Sequence, residues 1–286
     1  MTIADAIAKA AVRLAAHRIE NARLDAEVLL RQILGKDRAW LLAHYPDPLD
    51  ERSLREYDRL LDRRSVREPL QYILGSQEFW GLSFIVTPDV LIPRPETELI
   101  VETALRFLAG ASTPVIADLC TGSGCIAVAL ATELPSARIF ATDQSTAALA
   151  VAHRNASGNK GGERIRFFEG DLFEPLKGLD SRGKFDVITA NPPYIPAGEL
   201  ASLQPEVRDF EPEEALIAGP EGTEISRRIL AEAPEYLKPG GTLIMEMGIG
   251  QARMLAAMAN ATGKYESVEL LKDLAGIERV IRATKK

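Results

Sequence analysis

The sequence predicts an α/β protein with a mostly parallel, doubly wound sheet, preceded by a small bundle of helices. Before residue 75, apolar residues recur at helical spacing. After Pro114, short apolar runs alternate with helical stretches, the pattern of a parallel sheet covered by helices on both faces. A glycine-rich turn and several carboxylate or amide side chains follow the ends of those runs, where ligands bind in such sheets.

In the first 75 residues, Ile3, Ile7, Ala10, Ala11 and Leu14 mark one amphipathic helix, and Leu24, Val28 and Ile33 a second. Asp37 is placed to cap a short helix ending near Leu42. Leu54, Tyr57, Leu60 and Leu61 form the apolar face of another, with Arg52, Arg55, Glu56, Arg59, Asp62 and Arg63 on its solvated side. A bundle of four or five helices is expected over residues 1–75. Residues 76–95 form a hairpin and a linker. Aromatic and β-branched residues around Gly81 give the hairpin. Pro93 and Pro95 stiffen the loop that follows.

Residues 96–286 carry the alternating pattern: a helix from Glu96 to Leu108, then strands at Val115–Leu119, Ala137–Thr142, Arg164–Glu169 and Phe185–Ala190. Helices are expected at Ile126–Leu134 and Ser145–Asn155. A long irregular segment reaches about Gly222. A helix at Glu224–Leu237, a strand at Thr242–Met247, a helix at Gln251–Ala261 and two late strands, near 265–270 and 279–282, complete the chain.

Composition narrows the function classes. The chain has 286 residues, 46% hydrophobic and 26% charged, with a net charge of −7. That balance opposes general affinity for nucleic acid, which needs Lys and Arg to neutralise phosphates. The two cysteines, Cys120 and Cys125, flank the glycine turn with no His nearby, too few ligands for a structural zinc site. They are expected to be reduced thiols, and no metal is expected. The N-terminal stretch lacks the basic-then-apolar order of a signal peptide, and no window is apolar enough to span a bilayer. A cytoplasmic monomer, free of membrane, is the expectation.

The turn Asp118-Leu-Cys-Thr-Gly-Ser-Gly124 follows the first strand of the alternating region. Gly122 and Gly124 allow a sharp turn and a close ligand approach. Asp143 ends the next strand, where a carboxylate can accept from both hydroxyls of a ribose. A dinucleotide site shares that geometry. Asp118, however, is a poor neighbour for a diphosphate and a good one for an ammonium group. Asp171 can accept from an adenine amino group, and Leu172 can pack on the ring.

The tetrapeptide Asn191-Pro-Pro-Tyr194, at the exit of a buried strand, is the most specific feature. Pro192 and Pro193 cannot donate, so their carbonyls stand without competing N–H groups. The Asn191 side-chain oxygen and the Pro192 main-chain oxygen can each accept one N–H of a planar amide or amine. Its lone pair then faces an electrophilic methyl. Tyr194 can stack on the planar group and favour a nearby cation.

On these residues the chain resembles the class I, Rossmann-like S-adenosylmethionine methyltransferases. Within them it resembles the release factor glutamine methyltransferase family (PrmC/HemK). The segments Pro69–Gly75, Glu78–Trp80 and Leu91–Glu98 carry the closer resemblance, together with the glycine turn, Asp143 and the tetrapeptide. The resemblance implies transfer of a methyl group from S-adenosylmethionine to N5 of the glutamine in the Gly-Gly-Gln motif of class I peptide-chain release factors. It implies that Cys120, Thr121, Gly122, Ser123, Gly124, Asp143, Leu172 and Asn191 line the cofactor site. Asn191, Pro192, Pro193 and Tyr194 would hold the glutamine. No cofactor motif falls in the helical domain, so it is expected to recognise the protein substrate; the loop around Pro93-Arg-Pro95, with Thr97 and Glu98, either closes over the cofactor or is a surface linker. Cys120 stands where the family commonly has Gly, and Leu172 where it often has an aromatic residue. A DNA adenine N6-methyltransferase would use the same tetrapeptide on a flipped base. The acidic balance, and the lack of an obvious basic target-recognition domain, argue against it, and no direct nucleic-acid partner is expected.

Overall fold

The computed structural model describes residues 1–179 and 181–286 and divides the chain into two compact units. One unit comprises Met1–Ser76 with Gln204–Phe210, and the other Gln77–Leu203 with Glu211–Lys286.

The first unit is a helical bundle. Its helices are α1 (Ile3–Ala16), α2 (Ala22–Leu34), α3 (Arg38–Ala43), α4 (Glu51–Ser65) and α5 (Leu70–Leu74). Local chemistry sets their starts. Thr2 and Asp5 form a reciprocal capping box on α1, and Asp37 caps α3 by accepting from the Trp40 N–H at 2.7 Å. Asp50 accepts from the Arg52 and Ser53 N–H groups at the start of α4. Gly35, at φ 62°, ends α2 in the left-handed conformation that glycine adopts at least cost. Ile7, Leu14, Leu29, Leu30, Leu41 and Leu61 form the bundle core. Asp25 and Arg64 pair inside it at 2.8 Å. Glu206, from the distant segment, accepts from Arg64 at 3.1 Å and Arg67 at 2.5 Å. The desolvation of such buried charges offsets much of their mutual attraction, so the pairs add little net stability.

The second unit begins with a hairpin of β1 (Ser76–Phe79) and β2 (Leu82–Ile85), followed by α6 (Glu98–Phe107). Trp80 and Gly81 turn the hairpin, both at positive φ, as a two-residue hairpin turn demands. The Trp80 N–H donates to Glu98 at 2.8 Å and its indole N–H to Glu133 at 2.9 Å. These bonds give a structural reason for the Glu78-Phe-Trp80 and Glu98 segments of the sequence. Then follow β3 (Val115–Leu119), α7 (Cys125–Glu133), β4 (Arg138–Asp143), α8 (Thr146–Gly158), β5 (Ile165–Glu169) and β6 (Phe185–Ala190). The segment expected to be irregular contains β7 (Ile195–Pro196), α9 (Pro205–Arg208) and β8 (Ile217–Gly219), with β7 and β8 paired in parallel. The chain ends with α10 (Glu224–Tyr236), β9 (Leu237–Glu246), α11 (Ala252–Ala261), β10 (Tyr265–Lys272) and β11 (Glu278–Lys285).

The main sheet has the order β10-β11-β9-β6-β3-β4-β5. Strands β9, β6, β3, β4 and β5 run parallel, and β10 and β11 are antiparallel additions at one edge. Alternate residues feed two cores. Ile188, Ala190, Leu243 and Met245 pack on one side with α10 and α11 residues such as Ile229 and Leu255, while Val187, Ile244 and Val280 pack on the other with Ile100 and Val128. Strands buried on both faces read as near-continuous apolar runs, which is why the sequence displays them. From β3 the chain builds outward through β4 and β5. It then crosses to the opposite side of β3 for β6 and β9. The crevice at that reversal, beyond the carboxyl ends of β3 and β6, is where a doubly wound sheet binds ligands.

Candidate active site

A cavity opens at this crevice. Its wall includes Cys120, Thr121, Gly122 and Ser123 after β3, Asp143 at the end of β4, Asp171 and Leu172 after β5, and Asn191 and Pro193 after β6. Of the residues expected at the site, Asp118, Gly124, Pro192 and Tyr194 do not line this wall, though each adjoins a residue in or next to it along the chain.

The glycine turn is held from below. Cys120, Gly122 and Gly124 have φ of 55°, 54° and 80°. A Cβ on Gly124 would approach the Ala152 Cβ to 3.1 Å, so this glycine lets α8 pack against the turn. A Cβ on Gly122 would meet no protein atom within 4 Å. Glycine there leaves cavity volume for a ligand. The φ of Cys120 explains why glycine is the easier residue at that position.

Asp118 departs from the sequence expectation. It is fully buried and accepts from the Thr121 hydroxyl at 2.6 Å and the Thr189 hydroxyl at 2.7 Å. It ties the turn to β6 instead of facing a ligand ammonium. Burial pushes its carboxyl up to about 6, against the lowering effect of those two hydroxyls.

Asp143 faces the cavity. Its oxygens accept from the Gly122 N–H at 2.8 Å and the Ser145 N–H at 3.0 Å. Each carboxylate oxygen has two acceptor sites, so each retains one for a ligand hydroxyl. Burial raises this carboxyl above its ordinary range, and the two N–H groups oppose the rise. Asp171 is paired with Arg228 at 2.5 Å, both about half exposed. Leu172 is buried at φ 48° and lines the wall.

At the exit of β6, the Asn191 side-chain nitrogen donates to the Thr97 hydroxyl oxygen at 3.2 Å. Thr97 in turn donates to Glu246 at 2.7 Å, and the Tyr194 hydroxyl lies 3.4 Å from the other Glu246 oxygen. Gln251 secures the tetrapeptide from behind. Its side-chain nitrogen donates to the Tyr194 carbonyl at 2.8 Å, and its oxygen accepts from the Gly248 N–H at 2.9 Å.

Two further segments contribute to the wall. The first is the proline loop, with Asp89, Val90, Leu91, Pro93 and Thr97. Buried Glu211 fastens it, accepting from Arg94 at 2.5 Å and the Ile92 N–H at 3.2 Å. The second comprises Pro212, Glu214, Ala215 and Ile217. Sequence reasoning missed Glu246, Glu211, Gln251 and this second segment. Glu246 carried a usable signal, a carboxylate ending a buried strand, the same signal that marked Asp143.

Asp89, Asp143 and Glu214 make the wall acidic. Such a cavity repels a diphosphate and suits a ligand bearing cationic groups. Together with a doubly wound sheet, it fits a Rossmann-like methyltransferase, a class that draws its methyl group from S-adenosylmethionine. Residues 5–75 match the family described as PrmC N-terminal domain, and residues 97–203 match the methyltransferase small domain. A release factor glutamine methyltransferase of Geobacter sulfurreducens is 50% identical, covering 94% of this chain and 91% of its own. The enzyme of that name from Moorella thermoacetica is 43% identical, covering 100% and 99%. The chain belongs to the release factor glutamine methyltransferase family. Among solved structures, the hMettl16 catalytic domain shares the fold with a TM-score of 0.59 at 16% identity, covering 87% of this chain and 92% of that one. A Pyrococcus furiosus methyltransferase does so with a TM-score of 0.51 at 19% identity, covering 78% and 98%.

Proposed function

We propose that this chain transfers the methyl group of S-adenosylmethionine to N5 of the glutamine in the Gly-Gly-Gln motif of peptide-chain release factors. The observation that carries the reading is Asn191-Pro-Pro-Tyr194 at the switch-point crevice, with the Asn191 nitrogen bound to Thr97. That bond leaves the Asn191 oxygen as the group available to an incoming N–H.

An amide nitrogen is a weak nucleophile because its lone pair is delocalised. The Asn191 oxygen and the Pro192 main-chain oxygen are the acceptors proposed for its two protons. Oriented acceptors strengthen their bonds as positive charge builds on nitrogen, so they assist most in the transition state. No strong base is required beforehand, because the methylated amide nitrogen is acidic and loses its proton to water. Asp143 is the proposed partner of the ribose hydroxyls, Gly122 gives room for the cofactor, and the acidic wall favours its cationic groups. When bound, S-adenosylmethionine supplies a methyl group activated by the sulfonium.

The family's name and the net charge of −7 both disfavour the DNA adenine alternative. The test is transfer of labelled methyl from S-adenosylmethionine to purified release factor, with the Gln→Asn factor and duplex DNA as parallel substrates. Label on the Gln factor alone is expected. Label on DNA, or equal label on the Asn factor, refutes the reading.

A further inference from the structure

The Asn191 amide can present either its oxygen or its nitrogen to the cavity, and only the oxygen helps a substrate whose own groups are N–H donors. What selects the face is therefore a functional question. The answer is in the hydroxyl between Asn191 and Glu246. Thr97 has a single hydrogen to give. Its oxygen lies 2.7 Å from a Glu246 oxygen and 3.2 Å from the Asn191 nitrogen. An ionised carboxylate only accepts, so it takes that hydrogen. Thr97 is left with lone pairs alone toward Asn191, and these bind the Asn191 N–H and exclude its oxygen. Thr97 and Glu246 are both buried, so water does not compete for these positions.

We propose that Glu246, acting through Thr97, is the positioning group that holds the Asn191 oxygen toward the substrate, and that turnover depends on the charge of Glu246. This rests on the reading of the tetrapeptide given above and adds Glu246 to it.

Protonated Glu246 reverses the chain of donors. Its own O–H can donate to Thr97, freeing the Thr97 hydrogen for the Asn191 oxygen. The amide then turns its N–H groups toward the cavity, where they oppose the substrate's own. The surroundings set this switch within a working range. Burial pushes Glu246 up to about 7. The Thr97 hydroxyl, Arg279 and the Tyr194 hydroxyl lower it, while Glu96 raises it further. Cys125 also lies within the field of Glu246, and Arg94 acts on the adjoining Tyr194. The active form is the ionised one, so turnover rises with pH through the titration of Glu246 and falls on its acid side.

The experiment measures kcat and KM against pH for the full chain acting on release factor, with cofactor affinity and melting temperature measured alongside. Thr97→Val keeps the side-chain shape and removes the relay. It is expected to lower kcat at least about tenfold, with KM and cofactor affinity within about threefold, the split expected when only the transition state loses an interaction. Thr97→Ser restores the hydroxyl and most of the lost rate. Glu246→Gln removes the acid limb near neutrality. Thr97→Val with the parent kcat, or an acid limb that persists in Glu246→Gln, overturns the proposal. Should Thr97→Val fail to fold, the pH profile of Glu246→Gln decides alone. Failure of the parent chain to methylate release factor would instead refute the reading of the site, a result distinct from either variant outcome.

Discussion

Asn191 and Asp143 occupy similar places, at the carboxyl ends of parallel strands, but they invite different tests. Asn191 is proposed to meet the reacting nitrogen, so its removal acts on turnover. Asn191→Ala is expected to lower kcat on the order of a hundredfold, about 3 kcal/mol, the effect of losing one preorganised hydrogen-bonding partner. Cofactor affinity, measured by calorimetry, should change much less. Near-normal turnover would remove the tetrapeptide from the mechanism. Asp143 is proposed to hold the ribose and acts on binding. Asp143→Ala should weaken S-adenosylmethionine by about 1.5–3 kcal/mol, the range for a hydrogen bond to a charged group. Asp143 also anchors the Gly122 and Ser145 N–H groups, so a melting curve must accompany the titration. Unchanged affinity would refute the ribose assignment. Asp118 is legible as a carboxylate near the end of a strand, but its bond to the Thr189 hydroxyl is not, because that residue is 71 residues away.

At the scale of elements, the sequence was most legible where both faces of a strand are buried. Val115–Leu119 and Phe185–Ala190 were read to the residue because their apolar runs end abruptly at polar site residues. Strand β9 was read as starting at Thr242, five residues after its actual start at Leu237, because Pro239-Gly-Gly241 resembles a turn. The short β7 and β8 were invisible. Two or three residues show no periodicity, and their pairing joins Ile195 to Ile217 across a long excursion. The sequence leaves the proline loop as either a closing segment or a surface linker, and its anchor is hidden for the same reason: Glu211 lies 117 residues from Arg94. That anchor gives a test of the loop. Glu211→Ala leaves the Ile92 N–H and Arg94 without their acceptor, a loss of about 1–3 kcal/mol. Cofactor dissociation should quicken in stopped-flow measurements, while kcat at saturating cofactor changes little. An unchanged dissociation rate would show that the loop wall does not need this anchor.

Across the whole molecule, the division of labour is itself a proposal. The helical unit contains no cofactor-type turn, and its matched family is named separately from the methyltransferase domain. We assign it the recognition of the release factor. Its boundary near residue 75 was visible as a change of period, but the membership of Gln204–Phe210 was not, since Glu206 joins it through Arg64 and Arg67. A chain lacking both Met1–Ser76 and Gln204–Phe210 is expected to keep cofactor affinity within about threefold and lose at least about tenfold in kcat/KM on release factor. Full activity on the factor would remove the recognition role. The central claim is narrower than this division and can be tested alone: the methyl group arrives on the amide nitrogen of one glutamine. Release factor incubated with the parent chain and S-adenosylmethionine is digested, and the Gly-Gly-Gln peptide is fragmented in a mass spectrometer. The account predicts a single added methyl on the glutamine side chain with the parent chain, and almost none with Asn191→Ala over the same time. A methyl on any other residue, or equal labelling by the two chains, would contradict it.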